Sequence, residues 1–468
     1  MDHSKNSGLP LGDFKPSHLW QTHVNAIFYG SLGSKIHNHF QTYVSRDYRI
    51  AHALAEEFLQ KALQSLQDKE TLFVHEWGVG NGNLAACFLS HLKSIDTDER
   101  VYPLTHYVLC DYSLEILKGV RANPNLAAHA GHFSTVLINA GELKCFRSNS
   151  AHKIISNEIW DDMATRVLLK HDGMVYEEFL QPLINPESIP GDFEHFRTLF
   201  TDKDLEGLRQ LPEFLHTIHW ERDFQRVDIS DWPYAETLES HLEQLADGIP
   251  TPINVGAFHT LEQAREILLP ESQGYIGFDY GMLSFQDLNQ EGRPYFNLYG
   301  GQYTFMVNFE LLQKVGENLG YKNIDKEYQH DFIGHHLQEK VASLVEVMQC
   351  HPQVPQMDSW DRDVLMLQTL NAINGTYRSP YKNKIEYPPT PGTPKKQRKL
   401  IGQLAKKLSP HGVPDTVAYV TEGEVLSAMK PLKKLGYREK GLQMAFHQVP
   451  PPVSFVKISF SGPRPQEI

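Results

Sequence analysis

Three alternating glycines, placed between a short apolar run and an amphipathic stretch, constrain this chain more than any other feature. The segment reads Val74-His75-Glu76-Trp77-Gly78-Val79-Gly80-Asn81-Gly82-Asn83-Leu84. Leu72 to Val74 is apolar and predicts a strand; Leu84 to Leu92 predicts a helix. Glycines between a strand and a helix permit a tight turn and let a ligand approach the backbone closely. The helix start that follows offers N–H groups with no partner inside the helix. No GK[ST] sequence follows, which excludes the Walker phosphate loop. The third glycine also comes one residue too early for the dinucleotide fingerprint. The same loop could instead be a packing turn that holds no ligand.

The flanking pattern favours the ligand. Tyr107 to Cys110 predicts a second strand, ended by Asp111, with a helix from Leu114 to Val120. Thr135 to Ile138 and Lys153 to Ser156 predict a third and a fourth strand. Strands alternating with helices imply βαβ units and a parallel sheet. The acid before the first glycine, Glu76, disfavours a pyrophosphate and suits an amine-bearing ligand such as the amino-acid end of S-adenosylmethionine. A carboxylate at the next strand end, Asp111, can accept both hydroxyls of a ribose. Asn139 and Ala140 end the third strand, where an adenine ring would lie.

Composition sets the outer limits. The 468 residues are 41% hydrophobic and 22% charged, which is ordinary globular usage. With 44 basic and 57 acidic side chains the net charge is −13. Such a surface repels phosphate backbones and favours basic partners, so nucleic acid is not an expected partner. The four cysteines, Cys87, Cys110, Cys145 and Cys350, form no CxxC pair. Three are read as small buried hydrophobes, in keeping with a reducing compartment. The first 16 residues lack an apolar core and contain Asp2 and Asp13, unlike a secretory signal or a transit peptide. No apolar run approaches a membrane span. The expectation is a soluble cytoplasmic protein.

A second cluster follows the fourth strand: Asn157-Glu158-Ile159-Trp160-Asp161-Asp162. In open α/β sheets the crevice beyond the strand C-termini binds ligand. Three carboxylates and an aromatic there could grip a guanidinium. Equally, Asn157 could be an N-cap with acids in the first helical turn. Residues 180–265 are acidic and leucine-rich and read as a helical insertion, after which the sheet pattern resumes at Tyr275 to Asp279. Pro388, Pro389, Pro391 and Pro394, followed by Lys395, Lys396, Arg398 and Lys399, read as a linker. The expected division is a helical cap (1–65), a first core part (66–180), a mainly helical insertion (181–265), a second core part (266–385), the linker (386–400) and a small α/β extension (401–468).

Four stretches together resemble the MidA-like methyltransferases, a family of S-adenosylmethionine-dependent enzymes. Its mitochondrial member is an arginine methyltransferase that assists assembly of respiratory complex I. Glu76 to Gly82 resembles the family's E-x-G-x-G-x-G loop, and Asn157-Glu158-Ile159-Trp160-Asp161 its N-E-x-x-D signature. Phe278-Asp279-Tyr280-Gly281 resembles its I-D-Y-G strand end, and Gly300 to Phe309 its later G-x-x-D-I-T-x-x-V-D-F run. The likeness spans about residues 20–340. The chain departs from the family at Asn81, where an arginine is usual, at Asp162-Met163-Ala164, and at Gln302 and Asn308, where acids are usual.

The resemblance implies an α/β, Rossmann-like class I methyltransferase fold, with a helical insertion and a small C-terminal α/β extension. It implies S-adenosyl-L-methionine as cofactor, held by Glu76, Gly78, Gly80, Gly82, Asp111, Asn139, Ala140 and Asn157. It implies Glu158, Asn157, Asp161 and Asp279 as the residues facing the acceptor, with Glu158 holding a guanidinium. The departures fall where an acceptor would lie, so a protein acceptor, a small-molecule acceptor and a non-catalytic assembly factor all remain open. A homodimer is a further partner the insertion could support. His129/His132 and His335/His336 lack zinc-site spacing; they are read as solvated or capping residues, and no metal is expected. Tyr299, Tyr303 and Phe305 are read as core, with a pocket wall as the alternative. The basic stretch from Lys395 to Lys407 is read as a solvated linker and helix start.

Overall fold

The structure is a computed structural model and describes residues 8–32, 48–65, 71–140, 145–189, 191–211, 213–299, 301–373, 392–408 and 419–463. The chain folds into two compact units that interleave in sequence. One comprises residues 1–33, 138–326 and 451–468; the other comprises residues 34–137 and 327–450. We call them the split unit and the loop unit.

The loop unit is built on three parallel strands, Leu72–Trp77, Thr105–Asp111 and Phe133–Leu137. Helices Asn83–Ile95 and Leu114–Arg121 supply the crossovers that parallel strands need. The first two strands are buried almost throughout because both faces are covered. Phe88 lies on the inner side of its helix, with ring centroids 5.6 Å from Phe58 and 5.3 Å from Tyr107. A second core gathers Leu344, Val347, Leu365, Leu370, Leu404, Leu408 and Leu432 from the later helices. Helix Arg49–Ser65 is anchored at its start. Arg49 donates to Glu424 Oε1 at 2.6 Å and to the Tyr419 carbonyl at 3.0 Å, and its side chain is nearly buried. Removing one member of a buried pair of this kind costs about 3–5 kcal/mol.

In the split unit, strand Lys153–Asn157 runs parallel to Tyr275–Met282. The terminal strand Ser454–Pro463 pairs antiparallel with Tyr275–Met282, from Tyr275↔Phe460 to Gly281↔Ser454. Residues near the C-terminus are therefore a sheet strand of the split unit, not part of a separate extension. Val456, Ile458 and Phe460 alternate inward and are fully buried. Close packing also explains Gly277: a Cβ there would stand 2.0 Å from the Trp160 ring.

The segment expected to be a helical insertion does carry helices, Phe193–Asp202, Ala235–Glu243 and Val255–Ile267. It also completes an antiparallel sheet of Arg166–His171, Met174–Ile184, His219–Arg226 and Thr251–Ile253. Helix Ser17–Leu32 joins this sheet's core, where Trp20, Phe196, Phe200, Phe214, Tyr303 and Phe305 meet. The presumed N-terminal cap is thus divided: Ser17–Leu32 lies in the split unit and Arg49–Ser65 in the loop unit. Of the presumed linker, Lys395 onward is helix Lys395–Leu408, and residues 386–391 lie outside the described residues. Three parallel strands carry the loop unit, the split unit sets the parallel pair Lys153–Asn157 and Tyr275–Met282 beside antiparallel strands, and the fold is α/β and Rossmann-like. Among the described residues no helix is long and apolar enough to cross a membrane.

Candidate active site

The sequence-predicted residues fall into two groups, one in each unit. In the loop unit, strand Leu72–Trp77 delivers Glu76 to the glycine loop, and Glu76 is 2% exposed. Gly78, Gly80 and Gly82 all take positive φ (77°, 50° and 75°), the left-handed region that favours glycine. Gly78 N donates to the Cys110 carbonyl at 2.9 Å, and Gly82 N to the Val79 carbonyl at 2.8 Å, which closes the turn. Gly82 is the N-cap of helix Asn83–Ile95 and offers no side chain to its amides. Around Gly80 a Cβ would meet nothing within 4 Å, so the loop's crest is open. Asn81 is tied down: its side chain accepts from Asn83 N at 3.0 Å, and its carbonyl accepts from Asn123 Nδ2 at 3.0 Å.

Burial pushes the Glu76 carboxyl up to about 8, with help from the Asp111 charge; the Tyr107 hydroxyl opposes the shift. Glu76 Oε2 meets no hydrogen-bond donor in good geometry. Asp111 is also raised by burial, to about 6, opposed by the amides of Ser113, Val79 and Tyr112. Ser113 N donates to Asp111 Oδ1 at 2.8 Å. A buried carboxyl without a full set of donors is costly unless a ligand supplies them. A primary ammonium beside Glu76 and ribose hydroxyls at Asp111 are of the right chemistry. These residues fit the amino-acid and ribose parts of S-adenosylmethionine.

In the split unit, Asn157, Glu158, Asp161 and Asp279 come together at the ends of the two parallel strands. The alternative of a capped helix is excluded, because residues 158–163 form a bend and turn with no helix. Glu158 has φ of 49°, a left-handed conformation that costs a non-glycine residue roughly 1–2 kcal/mol. Its N–H donates to the Phe278 carbonyl at 2.8 Å, which holds the bend. Asn157 Nδ2 lies 3.4 Å from Glu158 Oε1. Glu158 itself is only half-buried.

The neighbouring acids are used internally. Asp279 is fully buried and accepts from Trp160 N (2.9 Å), Asp161 N (3.2 Å) and Tyr280 N (2.9 Å). Burial, with the charges of Asp161 and Glu158, raises its carboxyl well above the usual range. Asp161 accepts from the Tyr280 hydroxyl at 2.7 Å, and burial raises its carboxyl to about 6. Asp162 accepts from Asn25 Nδ2 at 2.9 Å, from Gln302 Nε2 at 2.5 Å and from the Tyr29 hydroxyl; desolvation raises it to about 7. Gln21 bridges the Asp161 carbonyl (3.0 Å) and Thr165 N (2.9 Å).

Gln21, Asn25 and Tyr29 were not singled out from the sequence. Their spacing, four residues apart along one helix face, was the available signal. Asn139 is exposed and Ala140 half-buried, just after strand Phe133–Leu137. Tyr303 and Phe305 are fully buried core residues. Cys87 and Cys110 are buried, Cys350 is intermediate and Cys145 is exposed, so only two behave as buried hydrophobes. His129 is buried rather than solvated. Its two ring nitrogens lie 2.9 Å from Ser90 Oγ and 2.8 Å from the Tyr102 hydroxyl.

No family model and no curated protein matches the chain. Among solved structures it is similar to a COG1565 superfamily member from Burkholderia thailandensis bound to S-adenosyl-homocysteine. Identity is 13% over 97% of this chain and 89% of the other, at a TM-score of 0.46. A native structure of a COG1565 superfamily protein from the same organism aligns at 14% identity over 96% and 95%, with a TM-score of 0.41. A Haemonchus contortus phosphoethanolamine N-methyltransferase in complex with S-adenosylhomocysteine aligns at 9% identity over 87% and 53%, with a TM-score of 0.32.

Proposed function

We propose that the chain is an S-adenosylmethionine-dependent methyltransferase of a protein substrate, with arginine as the first candidate, whose acceptor nitrogen would release one N–H proton to solvent as it takes the methyl group. The observation that carries the reading is Glu76: a buried carboxyl with an unpartnered oxygen, beside an open glycine turn and a helix start whose N-cap is glycine. Bound S-adenosylmethionine would supply an electrophilic methyl group on a sulfonium. Glu76 would hold its ammonium and Asp111 its ribose. Transfer of this kind depends chiefly on alignment and water exclusion.

On the acceptor side the acids divide by role. Asp279 organises the backbone of the bend through three amides, and Asp161 is held by Tyr280. Both are positioning residues in this reading. Glu158 is the half-buried acid at the bend and is assigned to the guanidinium, with Asn157 beside it. The acidic balance of −13 suits a basic protein acceptor. A small-molecule acceptor is the second reading. It is favoured by the Asn25, Tyr29 and Gln302 bonds that turn Asp162 inward and leave less free charge for a peptide.

Two measurements test the proposal. Calorimetric titration with S-adenosylmethionine should show one site per chain; no binding would leave only a partner-binding role. Transfer of labelled methyl into cell lysate should place label in the protein fraction. Label confined to small molecules would select the second reading, and binding without transfer would select the non-catalytic one.

A further inference from the structure

Within the loop unit, three helices bring metal-ligating side chains to one point away from the glycine loop's residues. Glu56 lies on helix Arg49–Ser65, His91 on Asn83–Ile95 and His336 on Gln329–Leu337. Glu56 Oε1 is 2.8 Å from His91 Nε2, and Glu56 Oε2 is 3.0 Å from His336 Nδ1. The three ligand atoms all lie within 4.8 Å of one another. His52, one helical turn before Glu56, stacks on His91 with ring centroids 3.8 Å apart and planes 4° from parallel. The imidazoles are 17% and 15% exposed and the carboxylate is 42% exposed, so an ion can enter from solvent.

The donor set discriminates among ions. Calcium and magnesium take mainly oxygen ligands, so two imidazoles argue against them. Two imidazoles and a carboxylate suit zinc and its neighbours. Ligand atoms about 2.1 Å from a tetrahedral ion stand roughly 3.4 Å apart. The two Glu56–imidazole separations would have to widen by about 0.4–0.6 Å to reach that, and the two imidazole nitrogens already lie within 4.8 Å of each other. Without an ion, each imidazole would simply donate an N–H to Glu56, and this is the arrangement the test must exclude. The other cluster among the described residues, His171, Asp172 and Asp247, is wholly exposed and serves as a control.

We propose that Glu56, His91 and His336 form a binding site for a zinc-class divalent cation, with water completing the coordination and His52 fixing the His91 ring. The ion would pin the three helices together. The test uses the full chain, stripped with a chelator, dialysed and then titrated with Zn²⁺ by calorimetry and with Co²⁺ by visible absorption. The expected result is one tight site per chain, the visible absorption of low-coordinate Co²⁺, and a higher melting temperature with Zn²⁺. His91→Asn and His336→Asn should each weaken binding about a hundredfold or more and abolish the melting shift, while His171→Asn should leave both unchanged. Zn²⁺ affinity that survives both His91→Asn and His336→Asn would overturn the site, as would a wild-type chain that binds no ion. Should His91→Asn fail to fold, His336→Asn on the short outer helix decides the question.

Discussion

The two carboxylate groups at strand ends differ in what satisfies them. At the glycine loop, Glu76 Oε2 has no donor in good geometry, and burial holds the carboxyl near 8. At the Asn157 to Asp162 bend, Asp279 is met by three amides, Asp161 by a tyrosine and Asp162 by an asparagine, a glutamine and a tyrosine. Acids of similar burial thus differ in availability. An acid whose acceptor sites are filled from within supports structure, and one left short of donors is prepared for a ligand. Glu158, half-buried on a left-handed bend beside Asn157, is the acid of the second group proposed to meet an acceptor.

The comparison can be broken most strongly at Asp279. Asp279→Ala would leave three buried amides without an acceptor and should destabilise the protein by about 3–5 kcal/mol in denaturant unfolding. A loss below about 1 kcal/mol would mean that the three bonds do not support the bend. Glu76→Gln should behave oppositely, folding normally but losing S-adenosylmethionine affinity by about a hundredfold, since the charge that meets the ammonium is gone. Unchanged affinity in calorimetry would remove Glu76 from the cofactor site.

Glu158→Gln should retain cofactor affinity and lower turnover by about tenfold or more, within the usual range for one catalytic side chain. Undiminished turnover would take the acceptor role away from Glu158. The smallest effect is in pH. The folded Glu76 pKa is raised, so its proton stabilises the ligand-free fold at low pH, and that contribution is lost as pH rises through about 8. The melting temperature of the ligand-free protein should therefore fall between about pH 5 and about pH 9, and less so in Glu76→Gln. At neutral pH, cofactor binding should expel about one proton, seen as a binding enthalpy that varies with the buffer's ionisation enthalpy. Identical enthalpies in two buffers would show that Glu76 is already ionised.

Local pattern carried much of the fold. The strands expected at Leu72, Tyr107, Thr135 and Lys153 all form, and so do the helices at Leu84 and Leu114. Each is a short run whose apolar period and glycine punctuation act between near neighbours. The terminal strand was not legible. Its partner Tyr275–Met282 lies some 180 residues earlier, and nothing local to Ser454–Pro463 names that partner. The insertion reads as helical because its leucines are periodic, while its strands pair antiparallel with earlier ones, His219–Arg226 with Met174–Ile184 and Thr251–Ile253 with Arg166–His171.

The sequence by itself determined the chemistry available: the ExGxGxG turn, the strand-end acids Glu76, Asp111, Glu158 and Asp279, and the alternation that places them at strand C-termini. Only the tertiary structure decided how each acid is held. Gln21, Asn25 and Tyr29 reach Asp161, Thr165 and Asp162 across more than a hundred residues of chain. Glu56, His91 and His336 likewise converge from three helices. The physical reason is that a carboxylate's role follows from its donors and its burial. Both are set by packing between segments far apart in sequence, where no local pattern records them.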